Sequence, residues 1–231
     1  MLEDLDYAGF PRRANQLTPS QCHPCLQWLA QFHAQFLNTK PDSLWSVGTY
    51  WHLATRGQEW HACVDPELKA HAHSLDIMLN NCRHQTLVHG DAKVANFCFS
   101  EEQSEPGVAA VDFQYIGGGC GIRDVAYFLG SCLTDHDCQL SANDLLDYYF
   151  AALELACRYR DDPITDGDFR KIEREWRTLY PIACADFHRF LAGWSPNHSK
   201  INDYIHQQKR IALETINNHR LSGEIQRATK Q

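Results

Sequence analysis

Asp91, Lys93 and Asn96, followed by Asp112, are the residues of this chain whose types and spacing could do chemistry together. An aspartate with an asparagine five positions on, on a loop between two short apolar runs, puts a proton acceptor and a metal ligand beside one phosphate. Asp112 closes another run of strand type, 21 positions after Asp91. Such a set suits the transfer of a γ-phosphoryl group to a hydroxyl, where the protein's work is mostly positioning and charge neutralisation. Asn96 and Asp112 would offer oxygens to Mg²⁺, which takes few protein ligands and keeps several waters. Asp91 would accept the hydrogen bond of the attacking hydroxyl, as base or orienter, and Lys93 would bring positive charge to the γ-phosphate. His89 completes the candidate catalytic set but is read as bracing the loop. The bland alternative makes Asp91 and Asn96 ordinary turn residues and Asp112 an ordinary strand end.

The elements that must position these side chains are legible on either side. Thr86–His89 and Phe97–Phe99 read as short strands flanking the loop, and Gly107–Phe113 as the strand that delivers Asp112. Upstream, Thr18-Pro19-Ser20-Gln21 is a helix start, with Leu26, Leu29, Phe32 or His33 and Phe36 at helical spacing and an end near Asn38. Residues 39–64 lack a sustained period and read as loop with one short helix. Asp65-Pro66 opens another helix carrying Leu68, Ala72, Leu75, Met78 and Leu79, ending near Asn80-Asn81. Downstream, Arg123 and Asp124 open a helix in which Asp124 caps the end or holds the catalytic loop's backbone. Helices are then expected from Ser141, capped with Asp144, from Thr165 with Asp168, and from Ser199, before a charged, frayed tail from about Gly223.

Over these segments the chain resembles the aminoglycoside phosphotransferase and choline/ecdysteroid kinase-like families. Their His-Gly-Asp-x-x-x-x-Asn loop is matched by His89, Gly90, Asp91 and Asn96, their Asp-Phe-Gln by Asp112 to Gln114, and their following helix start by Asp124 to Leu129. The resemblance implies an α+β, mainly α fold: a protein-kinase-like C-terminal (large) lobe over 1–222 with a small β layer at the active site, and a tail at 223–231. It implies ATP and Mg²⁺ as cofactors and a small-molecule hydroxyl as acceptor. It also places a hinge at residues 1–6, with backbone groups near Glu3, Asp4 and Leu5 facing adenine. The chain would then begin where the N-terminal lobe ends. The first lysine is Lys40 and Gly9 is the only glycine before Gly48, so the phosphate-clamping lysine and glycine-rich loop cannot come from residues 1–38. The expected partner is that missing lobe, or a second copy through its docking face, and the alternative reading is a non-catalytic, pseudokinase-like binding module. Gly117–Gly121 is taken as the equivalent of an activation segment, flexible through its glycines. In small-molecule kinases the C-terminal helices build the acceptor pocket, which makes Trp176, Tyr180, Asp186 and Trp194 candidate acceptor residues, although aromatics at helical spacing are more often core.

Composition bounds the rest. With 231 residues, 44% hydrophobic and 22% charged, the chain can bury a real core as one continuous unit. No apolar stretch approaches a membrane span and the N-terminus lacks a signal peptide's regions, which points to a cytoplasmic protein. A net charge of −8 argues against nucleic acid as partner. The ten cysteines read as reduced, packing thiols. Cys22-His-Pro-Cys25 has CxxC spacing, but a zinc site needs two further ligands, and a redox motif would follow a strand rather than open a helix. No Gly-x-Ser-x-Gly elbow or credible Cys-His pair supports hydrolysis.

Overall fold

Polar side chains set where most of the helices begin. The computed structural model describes residues 3–102 and 107–228, with side chains placed through His219. Ahead of α1 (His23–Gln35), a 3₁₀ turn spans Ser20–Cys22, and the Gln21 side chain reaches back to accept from the Thr18 amide at 2.9 Å. After the short α2 (Gly57–Ala62), α3 (Pro66–Asn80) starts where Asp65 Oδ1 accepts from the Leu68 amide at 3.0 Å. Thr165 caps α6 (Asp166–Trp194) in the same way, through the Asp168 amide at 3.2 Å. These starts agree with the sequence.

Two starts differ. Helix α5 runs Asp135–Arg158 and is capped by Thr134, which accepts from the Asp137 amide at 3.1 Å, so Ser141 and Asp144 lie inside it. The earlier Thr-x-x-Asp box wins because Cys138 and Ala142 extend the buried face of Leu145, Tyr149 and Leu153 by a further turn. Helix α7 (Asp203–Ala228) begins after Asn202, whose Oδ1 accepts from the Ile205 amide at 3.0 Å, rather than at Ser199. It also continues past Gly223, where a tail was expected; residues 229–231 lie outside the described part.

The helices enclose a main core and, beside it, a smaller cluster of Trp51, Tyr127, Phe187, Phe190 and Leu191. The buried face of α1 (Leu26, Leu29, His33) packs on α5, while α6 is the central helix against which α2, α3, α4 (Ile122–Cys132) and α7 pack. Long and buried along most of its length, α6 reads in sequence as apolar on nearly every side from Tyr180 to Ala192.

Among the described residues, four three-residue strands make the β layer: β1 (Thr86–Val88), β2 (Phe97–Phe99), β3 (Val108–Ala110) and β4 (Gly117–Gly119). β2 pairs antiparallel with β3, Phe97 opposite Ala110 and Phe99 opposite Val108. Arg12 adds a further bridge to Phe99, with amide to carbonyl distances of 3.1 and 2.9 Å. β3 is shorter than the expected run to Phe113, because Asp112 turns left-handed (φ 66°) into a 3₁₀ turn at Phe113–Tyr115.

The glycines from Gly117 correct the activation-segment reading. Gly117–Gly119 are a buried strand, antiparallel to β1, and residues 45–49 close in from the other side. A Cβ on Gly117 would lie 2.3 Å from the Trp45 carbonyl oxygen. Close backbone approach, not flexibility, is what these glycines provide.

Candidate functional site

The loop between β1 and β2 carries His89 to Asn96 and is fixed mainly by one carboxylate from α4. Asp124 is fully buried; its Oδ2 accepts from the His89 amide at 2.6 Å and its Oδ1 from the Gly90 amide at 3.0 Å. His33 Nε2 lies 3.2 Å from the same Oδ2, and its Nδ1 is 2.8 Å from the Tyr149 hydroxyl. Of the two roles considered for Asp124, the geometry is that of the loop holder.

His89 is wholly buried, with both ring nitrogens in use. Nε2 donates to the Val111 carbonyl at 2.9 Å, and Nδ1 accepts from the Asp91 amide at 3.3 Å. The ring thus ties the loop's backbone to that of Val111, a bracing geometry. The Val111 amide donates in turn to the Asn96 carbonyl at 2.9 Å. Both backbone groups of Val111 are thus tied to the loop, which fixes where Asp112 follows.

Asp91, Lys93 and Asn96 are brought together. Asp91 is 3% exposed; its Oδ2 accepts from Lys93 Nζ at 2.9 Å and from Asn96 Nδ2 at 3.1 Å, and Asn96 Nδ2 also reaches the Asp91 carbonyl at 2.8 Å. Asp91 Oδ1 is buried with no hydrogen-bond partner. The Asn96 amide group spends its donors on Asp91, leaving its oxygen for something else. The Asp112 side chain is exposed, in a left-handed conformation that aspartate tolerates. Among the described residues no group of three or more His, Cys, Asp and Glu side chains forms a metal cluster. One amide oxygen and one carboxylate fit Mg²⁺, which needs only a few hard protein oxygens.

Asp91 and Lys93 line a cavity of about 390 Å³ together with Tyr50, Tyr115, Tyr127, Phe187, Trp194 and Lys200. The Tyr50 hydroxyl donates to that of Tyr127 at 3.2 Å. Burial pushes the Tyr50 phenol up to about 12, and burial, then Tyr50 and Asp91, push Tyr127 higher still, so both stay neutral. Burial pulls Lys200 below the ordinary lysine value, Lys93 acting the same way and Asp91 against it.

The remaining candidates fare differently. Trp176 is fully buried and donates to the His84 carbonyl at 2.9 Å; Tyr180 is buried with its hydroxyl 3.0 Å from that of Tyr204. Asp186 is buried between Arg189 (3.0 Å) and Trp51 Nε1 (3.1 Å). These three belong to the core, and of the four only Trp194, the last residue of α6, lines the cavity. The Asp4 and Leu5 carbonyls, expected near adenine, each accept one amide, from Ala8 (2.9 Å) and Phe10 (2.8 Å); Glu3 is exposed, and Met1 and Leu2 lie outside the described residues. Cys22 Sγ lies 3.7 Å from Cys132 Sγ in the core, and Cys25 is buried beside α5. A larger groove, about 800 Å³ and lined by Arg12, Arg13, Gln21, His23 and Phe99 among others, holds none of the loop residues.

Sequence reasoning missed Tyr50, Tyr127 and Lys200. Tyr127 carried a signal, since it sits three residues after Asp124 and so shares its helix face. Tyr50 lies in a segment without a period, and Lys200 was read as part of the helix expected from Ser199 but precedes α7, so neither carried a signal.

Residues 52–159 match the model of the ecdysteroid kinase-like family, a family of the protein-kinase-like superfamily that also holds choline and aminoglycoside kinase-like members. The matched segment contains the loop, Asp112 and Asp124, and the family is one of kinase-like phosphotransferases. Its fold class, mainly helical with a small antiparallel strand layer, agrees with the architecture above. No curated protein matches the chain.

Proposed function

We propose that this chain carries the catalytic loop of an ATP- and Mg²⁺-dependent phosphotransferase that moves the γ-phosphate to a hydroxyl of a small molecule. The observation that supports this best is the state of Asp91. One of its oxygens is held by Lys93 and Asn96, while the other is partnerless in a residue that lines a cavity. A buried carboxylate oxygen without a donor is costly, and a substrate hydroxyl would satisfy it. Asp91 would thus orient that hydroxyl and take its proton, while Lys93 faces the transferring phosphate. Asn96 and Asp112 are the residues that would hold Mg²⁺. The ion, when bound, neutralises charge on the phosphate oxygens.

Calorimetry with ATP and Mg²⁺ tests the nucleotide half of this reading: Asp112→Ala should weaken binding about tenfold or more, a loss of at least ~1.4 kcal/mol. Turnover of ATP tests the chemical half. Asp91→Asn should lower it by roughly 10²–10⁴-fold with nucleotide binding retained. Equal turnover by wild type and Asp91→Asn would defeat the assignment.

A further inference from the structure

The cavity beside Asp91 holds more positive than negative charge. Its charged lining is Asp91, Lys93 and Lys200, and Asp91 is already paired with Lys93. His198, at the rim, is pulled below the ordinary histidine value by burial and by Lys200 and adds no negative charge. Lys200 has no carboxylate within ion-pair distance and no hydrogen-bond acceptor for its ammonium among the described residues, Asp91 acting on it only from further away, although the residue is half-buried. Its ammonium lies instead 5.4 Å from the centre of the Tyr127 ring and 5.9 Å from that of Phe187.

We propose that the acceptor bound here is a hydroxylated molecule with an apolar, aromatic-sized body and one carboxylate, and that Lys200 recognises the carboxylate. This deepens the phosphotransferase reading and rests on it. Three features converge. Two of the cavity's aromatic faces, Tyr127 and Phe187, already hold the protein's own ammonium, so a quaternary amine or an aminoglycoside drawn to them would meet a like charge. The Lys200 ammonium has three donors and no protein acceptor, so a carboxylate entering the cavity would exchange its water contacts for a charge-assisted hydrogen bond. The Tyr127 ring separates Lys200, over its face, from Asp91, near its hydroxyl. An acceptor one ring wide can therefore present its hydroxyl to Asp91 and its carboxylate to Lys200. Phe187, Tyr115 and Trp194 supply the walls for the body between them.

The test uses three probes of one shape: 4-hydroxyphenylacetate, its carboxamide, and tyramine. Their binding to the full chain is measured by tryptophan fluorescence without nucleotide. The acid is expected to bind at least about tenfold more tightly than the amide, the worth of one charge-assisted contact, with tyramine weakest. In Lys200→Met the acid-to-amide ratio should fall to about one, and Lys200→Arg should restore it, with circular dichroism showing both variants folded. Tyramine binding as tightly as the acid, an unchanged ratio in Lys200→Met, or no binding of the acid at tens of millimolar would overturn the proposal. Failure of the phosphotransferase reading shows elsewhere, as ATP–Mg²⁺ binding that ignores Asp112→Ala, so the two outcomes are distinguishable.

Discussion

Asp124 contacts no part of the cavity, yet three donors converge on its carboxylate: the His89 amide, the Gly90 amide and the His33 ring. Each is buried, so removing the acceptor strands them all. Asp124→Ala should lower the unfolding free energy by about 3 kcal/mol, since leaving a buried group unsatisfied costs roughly 1–3 kcal/mol and the neighbours can relax only partly. Urea denaturation with an unchanged slope would measure it, and a loss below about 0.5 kcal/mol would show that the loop holds itself. Asp91→Asn should behave in the opposite way, abolishing chemistry with little effect on stability, because the amide keeps a side-chain oxygen for Lys93 and Asn96. The two aspartates look alike in sequence. What separates them is direction: one points at backbone donors, the other has an oxygen to spare.

At the scale of elements, a tight crossing of backbones keeps the loop in register. Gly90 has φ +82°, and a Cβ there would lie 2.2 Å from the Tyr115 carbonyl oxygen and 2.8 Å from the Thr49 amide. Gly117 is closed in equally by Trp45 and Gly48. Gly117→Ala should therefore cost about 3 kcal/mol, a fall of roughly 6–12 °C in the thermal midpoint read by calorimetry. A shift of under about 2 °C would mean that residues 45–49 yield without strain. Helix starts with a single strong cap, such as Asp65-Pro66 and Thr165-x-x-Asp168, were legible in the sequence because the signal is local. So were the strands flanking the loop, and the residues Asp91, Lys93 and Asn96 that the fold brings together. The pairing of Gly117–Gly119 with Thr86–Val88 was not, since three glycines carry no side-chain pattern and their partner lies some thirty residues away. The choice between Thr134 and Ser141 as the cap of α5 was decided by packing on α1, which no local window contains.

Across the whole molecule, α6, α7 and the start of α3 meet at a group of titratable side chains remote from the catalytic loop. His188 of α6 is buried, with its Nδ1 unpartnered, and its ring lies 5.1 Å from that of His206 on α7. Lys209 of α7 reaches Asp65 (2.6 Å) and Glu67 (2.7 Å) at the start of α3. Burial, with His206 adding to it, pulls His188 down to about 4 from the ordinary 6.5, while Asp65 opposes. In the folded chain the imidazole is neutral at pH values where the unfolded chain takes up a proton. The unfolded state therefore binds more protons between about pH 6.5 and 4, and stability must fall as pH drops through that window. The size of this contribution is on the order of 3 kcal/mol, all of it present above pH 6.5. Asp65 does not share the window. Burial raises it, but the Leu68 amide and Lys209 outweigh this and hold it below the ordinary 3.8, so its ion pair with Lys209 persists until more acid conditions. Thermal unfolding followed from pH 7.5 to 4.5 should thus show a steep loss that His188→Gln flattens, leaving the smaller slope due to His52 and His198, which burial also pulls down. The glutamine variant should be less stable than wild type at pH 7.5 and close the gap by pH 4.5. An identical pH profile in the two proteins would show that the helix junction takes up the proton without cost.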